Sequence, residues 1–294
     1  MAEIDWENWD ATEIEDGTQL AGTNIELIGS ASANGARAVL FDFDGTLSLI
    51  RSGWVDIMVP MMVEILVELN TGEDEADLEH LVRQFVERLT GKQTIYQMIE
   101  LAKQVEQRGG TPLDPVEYKH RYLDRLWVQI EDRVRGLEEG RIDREEMLVP
   151  GSIALLDALK ERGLKIFLAS GTDEKFAAAE SELLGVTPYL EGKVYGAIDD
   201  YKNFSKRMVI RRIVAENSIQ RAELLGFGDG YVEIEDVKGV DGVAIGLATD
   251  EPACQQVDPW KRKRLILAGA DAIIPNFRDH EALLGHLFAS SDSA

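Results

Sequence analysis

Ala38-Val39-Leu40-Phe41-Asp42-Phe43-Asp44-Gly45-Thr46-Leu47-Ser48 is the segment from which the rest of the chain is read. An apolar run ends in two aspartates at i and i+2, followed by Gly-Thr. In a strand, residues two apart project to the same face. Asp42 and Asp44 are therefore expected to point together where the strand enters its loop. Gly45 lets that loop bend sharply. Two carboxylates side by side at the end of a buried strand repel unless a cation or a proton compensates them. Such a pair is costly in a structural role and useful in a catalytic one.

Outward from this segment, strand and helix signals alternate. Gly151–Arg162 reads as a helix, Leu164–Ala169 as a strand and Glu174–Leu184 as a helix stopped by Gly185. Ser205–Asn217 is a helix with Ser205 as N-cap. Glu223–Phe227 and Gly242–Leu247 are short apolar strands. Trp260–Ala268 is helical, Ala272–Ile274 is a last strand and Asp279–Phe288 a last helix. Apolar strands separated by helices predict an α/β fold: a Rossmann-like parallel sheet with helices on both faces. Residues 53–148 break the alternation. Trp54–Asn70, Ala76–Thr90, Gln93–Arg108 and Pro115–Arg135 all show helical apolar spacing, with Pro115 in a first turn. This is too long for a crossover. The expected organisation is an α/β core of residues 37–52 and 149–294, interrupted by an all-helical inserted domain at 53–148.

Residues 1–36 form an acidic N-terminal tail and linker. Seven of the first sixteen residues are acidic, and no Lys or Arg precedes Arg37. The composition predicts loose order, with a short strand at Asn24–Ile28. Trp6 and Trp9 are free to dock on a partner or on the body of the protein.

The 294-residue chain carries 31 basic and 54 acidic residues, a net charge of −23. That field argues against nucleic acid or an anionic membrane surface as a partner. An anionic substrate must be drawn in by local positive charge or metal. The single cysteine, Cys254, excludes an internal disulfide and a cysteine metal cluster. His80, His120, His280 and His286 show no metal-ligand spacing. No apolar stretch approaches a membrane span, and the acidic start lacks a signal sequence; the expected setting is cytoplasmic.

Three further segments belong with Asp42 and Asp44. The strand Leu164–Ala169 ends in Ser170-Gly171-Thr172, where a hydroxyl can bond a phosphate-like oxygen. Lys206 starts a helix and can reach back to the strand ends. Lys202 competes with it in Asp199-Asp200-Tyr201-Lys202-Asn203-Phe204-Ser205-Lys206, but the Ser205 cap favours Lys206. The strand Glu223–Phe227 ends in Gly228-Asp229-Gly230-Tyr231-Val232-Glu233, which adds a third and a fourth carboxylate. All lie at carboxyl ends of parallel strands, where open α/β sheets bind ligands.

This pattern resembles the haloacid dehalogenase superfamily, and within it the aspartate-nucleophile phosphatases. The likeness rests on Asp42-Phe43-Asp44-Gly45-Thr46, Ser170, the helix-start lysine, and Gly228-Asp229 with an acid four residues on. It spans about residues 37–290, with the helical stretch where that family places a cap of the first type. The resemblance implies that Asp42 attacks phosphorus, while Asp44 protonates the leaving alkoxide and then deprotonates water. It implies Mg²⁺ held by Asp42, Asp44 and Asp229, in keeping with a hard cation and an all-oxygen donor set. Ser170 and Lys206 would position the phosphoryl oxygens. Glu233 is expected to contact metal through water, hold Lys206, or face solvent, with Asp236 a weaker substitute. Thr46, Gly171, Arg51 and Lys92 are further candidates.

The acid at position 44 disfavours carbon–halogen hydrolysis, since the dehalogenating relatives lack it. The implied substrate is a small-molecule phosphomonoester, a sugar phosphate or similar, beneath the cap. A phosphomutase on the same core is one alternative. A regulatory or binding protein using the Trp-bearing tail is another. Asp173 reads as a helix N-cap, and Lys119-His120-Arg121 as a solvated helix face.

Overall fold

The computed structural model describes residues 6, 9–30, 32–192, 194–198, 205–220 and 222–289. Eight strands form one sheet in the order β1-β2-β8-β7-β6-β3-β4-β5. β3 (Ala38–Phe41) lies between β4 (Lys165–Asp173) and β6 (Leu224–Gly228), parallel to both. β5 (Tyr195–Ala197), β7 (Val243–Leu247) and β8 (Ala272–Ile274) extend the parallel part. The sheet is covered on both faces. Val39 and Phe41 face one apolar cluster, Ala38 and Leu40 the other. This alternation is why β3 is apolar at every position. Phe41 stacks on Phe227 at 4.8 Å between ring centroids, and Phe277 meets both edge-on.

Four helices fill the span between β3 and the next core helix: α1 (Val55–Val67), α2 (Glu75–Leu89), α3 (Ile95–Gln107) and α4 (Pro115–Glu138). Asp74 caps α2 by accepting from Ala76 N at 2.9 Å, and Asp114 caps α4 by accepting from Val116 N at 2.8 Å. Met58, Met61 and Met62 are packed in the interior. The chain leaves the core and returns to it along two hydrogen-bonded crossings: Val149 N donates to Leu47 O, and Leu49 N to Met147 O, both at 2.9 Å.

Beyond the insert come α5 (Ser152–Glu161), α6 (Glu174–Leu183), α7 (Lys206–Glu216), α8 (Tyr231–Lys238), α9 (Pro259–Leu267) and α10 (His280–Leu287). Three elements depart from the sequence reading. β4 runs on through Ser170 to Asp173, because it gains a partner in β5, which the sequence reading did not include. α8 is likewise new. In residues 18–27 the strand expected at Asn24–Ile28 is present over Glu26–Leu27, and an unexpected strand precedes it. β1 (Thr18–Gln19) and β2 (Glu26–Leu27) form an antiparallel hairpin against β8, with Ile25 buried.

Trp6 and Trp9 turn onto the protein itself. Trp6 packs on Tyr231 at a tilt, 4.0 Å between ring centroids, and donates to Glu235, while Trp9 meets Trp260 edge-on. Both rings lie against Arg264, whose guanidinium also donates to Glu87 O at the end of α2. No helix among the described residues is long and apolar enough to cross a membrane.

Candidate active site

β3, β4 and β6 are neighbours, so their carboxyl ends bring three loops together. Asp42 continues β3: its N–H donates to Phe227 O at 2.9 Å. Its Oδ1 accepts from Phe43 N and from Lys206 Nζ, both at 2.8 Å. Its Oδ2 takes no bond from the described residues, and Asp42 lines the cavity below. Burial pushes the Asp42 carboxyl up to about 6; Lys206 opposes that rise and Asp229 and Asp44 reinforce it.

Lys206 is the first residue of α7, a helix start fixed by Ser205 Oγ accepting from Met208 N at 3.1 Å. Its ammonium also pairs with Glu233, in the first turn of α8. Of the three positions open to Glu233 on sequence grounds, it takes the one that holds the lysine. Asp236 pairs with Arg207 at 2.7 Å instead. Lys202 lies outside the described residues.

Asp44 is held from β4. Its Oδ2 accepts from Ser170 Oγ at 3.2 Å and from Thr172 Oγ1 at 2.8 Å. Thr172 has no role in the sequence reading. Its signal was the i, i+2 spacing from Ser170, which matters only because β4 extends that far. Asp44 Oδ1 is buried and takes no hydrogen bond; the Arg51 Nε lies 3.8 Å away. Arg51 forks onto Glu180 of α6 at 2.6 to 3.1 Å. Thr46 is fully buried, and its hydroxyl has no partner.

Two plain expectations are corrected. Asp173 stands at the N-cap position of α6, but its side chain makes no cap bond. It pairs instead with Lys119 Nζ at 2.6 Å. Lys119 is accordingly buried rather than part of a solvated face of α4, because a carboxylate across the seam compensates its charge.

Asp229 follows β6, and its Oδ2 accepts from Lys261 Nζ at 3.0 Å. The same ammonium donates to Glu251 at 2.6 Å. Neither Lys261 nor Glu251 has a role in the sequence reading, which gives Trp260–Ala268 only as a helix. Gly45, at φ +75°, turns its loop directly onto this trio: a Cβ there would collide with the Asp229 carboxylate and lie 2.9 Å from Glu251 Oε1.

A cavity of about 110 Å³ lies over these groups. Asp42, Asp44, Thr172, Lys206 and Asp229 line its core side. Trp54, Met58, Lys92, Lys119, Tyr122 and Leu126 line the helical side, with Arg51 and Gly171 between. The loop before α3 rests on the core. A Cβ on Gly91 (φ +93°) would be 3.1 Å from Gly230 Cα, and one on Gly171 3.5 Å from Lys92 O. Burial, and then Arg88, holds the Lys92 ammonium below its ordinary range.

An α/β core with its charged groups gathered at the carboxyl edge of a parallel sheet is the build of an enzyme. The family model for haloacid dehalogenase-like hydrolases matches residues 36–237, more than half of the chain. The protein belongs to that family and is a hydrolase. No curated protein matches it. Solved structures share the fold. A predicted phosphoglycolate phosphatase from Haemophilus somnus is 14% identical with a TM-score of 0.55, over 85% of this chain and 98% of that one. A predicted phosphatase from Clostridium acetobutylicum is 18% identical at 0.53, over 84% and 97%. A family hydrolase from Deinococcus radiodurans, with bound phosphate and sodium, is 16% identical at 0.51, over 87% and 100%.

Proposed function

We propose that the chain is a Mg²⁺-dependent phosphatase of small phosphomonoesters, acting through a phosphorylated Asp42. The observation that carries this reading is the division of labour between two neighbouring carboxylates. Asp42, which lines the cavity, has one oxygen fixed by Lys206 and the Phe43 N–H and the other without a bond from the described residues. Asp44 has one oxygen fixed by Ser170 and Thr172 and the other unbonded.

In the first half-reaction Asp42 Oδ2 forms a bond to phosphorus as the bond from phosphorus to the leaving oxygen breaks. Asp44 gives its proton to that oxygen, and the alcohol departs. In the second, Asp44 takes a proton from water as the water oxygen bonds to phosphorus, releasing inorganic phosphate and the Asp42 carboxylate. Lys206 and the Ser170 hydroxyl orient the phosphoryl oxygens and balance their charge. The helices α1–α4 act as a cap that encloses the substrate and keeps bulk water from the phosphorylated aspartate.

The donor set fits a hard divalent cation. Burial raises the Asp42 pKa, and the charges of Asp229 and Asp44 add to the rise, so a cation held by these carboxylates would relieve their repulsion. Among the described residues no three His, Cys, Asp or Glu side chains form a closed metal group. A hard ion such as Mg²⁺ keeps several waters and takes one or two carboxylates. Asp42 and Asp229 would hold it, with Asp44 contributing beside them, and its chemistry is to neutralise charge on the transferring phosphoryl group.

The test is phosphate release from a panel of small phosphomonoesters with Mg²⁺ and with a chelator. The wild-type chain is expected to turn over several esters only with Mg²⁺, and Asp42→Asn none. Full activity in Asp42→Asn, or an isomeric phosphate ester accumulating in place of inorganic phosphate, overturns the reading.

A further inference from the structure

Two lysines at the floor of the site repeat one arrangement. Lys206 bridges Asp42 to Glu233, and Lys261 bridges Asp229 to Glu251. The first joins strand ends to the helix start expected to hold phosphate. The second has no place in the mechanism above, yet it is tightly built. The Lys261 side chain is 14% exposed, and those of Asp229 and Glu251 15% and 18%. Gly45 has no side chain at the one point where the trio leaves no room for it. Glu251 sits close enough to feel both Asp229 and Asp44. A carboxylate so placed is a potential additional ligand for any ion at Asp229.

We infer that Lys261 sets the divalent-ion preference of the site by neutralising Glu251 and holding it away from the ion, so that the site remains one of few carboxylates and favours Mg²⁺ over Ca²⁺. This rests on the reading of Asp42 and Asp229 as metal ligands. Mg²⁺ keeps its waters and accepts one or two carboxylates, whereas Ca²⁺ takes six to eight oxygens and gains from each further carboxylate. Lys261 also clamps Asp229 through Oδ2, leaving Oδ1 without a bond from the described residues. It acts through Asp229 and Glu251, so it is a positioning residue.

The experiment is calorimetric binding of Mg²⁺ and of Ca²⁺ to the metal-free full chain, with no substrate present. Lys261→Met frees Glu251 and removes a positive charge beside the ion. It is expected to bind both ions more tightly, since a unit positive charge is removed at a few ångströms, and to raise Ca²⁺ affinity relative to Mg²⁺ by about tenfold or more, since Ca²⁺ gains more from the freed carboxylate. Lys261→Met with Glu251→Gln restores the charge balance, and the ratio should return to within about threefold of wild type. Glu251→Gln alone leaves Lys261 on Asp229 uncompensated and should weaken Mg²⁺ by about tenfold; it keeps the measurement decisive if Lys261→Met does not fold. An unchanged ion ratio in Lys261→Met overturns the inference. So does a shift that persists in the double variant, or unaltered Mg²⁺ binding in Glu251→Gln. Wild-type chain binding Mg²⁺ no better than Asp229→Asn overturns the metal-ligand reading itself, and this inference with it.

Discussion

The core side and the helical side of the cavity use charge differently. On the core side each lysine is shared by two carboxylates, Lys206 by Asp42 and Glu233 and Lys261 by Asp229 and Glu251. Acid exceeds base there, and the excess is an unmet demand for a cation. On the helical side Lys119 of α4 is matched across the seam with Asp173, and Arg51, between the two sides, is matched with Glu180 of α6. That wall also carries Lys92 and the apolar Trp54, Met58, Tyr122, Leu123 and Leu126. The core side is therefore charged for a reaction. The helical side offers shape and apolar contact to a leaving group, and its ion pairs fasten it down. Breaking the first should change rates, and breaking the second should change binding.

The largest expected effect is on the core side. Asp44→Asn should lower kcat for alkyl phosphates by about 10²–10⁴-fold, the usual yield of a positioned general acid. For p-nitrophenyl phosphate, whose leaving group needs no proton, the first half-reaction should be far less impaired. Burst kinetics on the two esters measure this; an equal loss of the burst rate with both breaks the assignment of Asp44 as the acid. A smaller effect is expected across the seam. Lys119→Met together with Asp173→Asn removes the pair without leaving a buried charge. It should raise KM about tenfold, the loss of ~1.4 kcal/mol of binding, with kcat nearly unchanged, as for an interaction made equally in ground and transition states. A fall in kcat with KM constant would place Lys119 with the reacting groups and erase the contrast between the two sides.

Much of this was legible because the residues proposed to react close apolar strands. Asp42, Asp44, Ser170 and Asp229 each follow a run that only a buried strand explains, and Lys206 follows a clear capping serine. The unread parts share one physical cause: their meaning comes from a partner distant in sequence. β5 is three residues with a glycine at its centre, and it exists by pairing with the far end of β4. α8 has four charged residues in eight, a composition that hides its buried Tyr231, Ile234 and Val237. Lys119 and Lys261 lie in basic runs that propensity assigns to solvent. Each is drawn inward by carboxylates on other elements, Asp173 for the first and Asp229 and Glu251 for the second.

The smallest expected effect isolates the charge excess on the core side without any reaction. Burial raises the Asp42 pKa from its ordinary 3.8 to about 6, with Asp229 and Asp44 adding to the rise against Lys206. A raised value means that the folded chain binds this proton more tightly than the unfolded chain. The stabilisation is complete below about pH 4 and is lost as pH climbs through 6. Asp42→Asn keeps the shape and removes the titration. In chelator it should therefore melt close to wild type near pH 4 and above it at pH 7.5, by a few °C at roughly 2–4 °C per kcal/mol. Mg²⁺ should reverse the order at pH 7.5, because an ion bound only by the folded state stabilises the wild-type chain, and the variant lacks one of its carboxylates. Thermal unfolding at the two pH values, with and without Mg²⁺, reads all of this. If wild type and Asp42→Asn keep the same order throughout, the carboxylates on the core side are not in excess, and the difference between the two walls does not lie in charge.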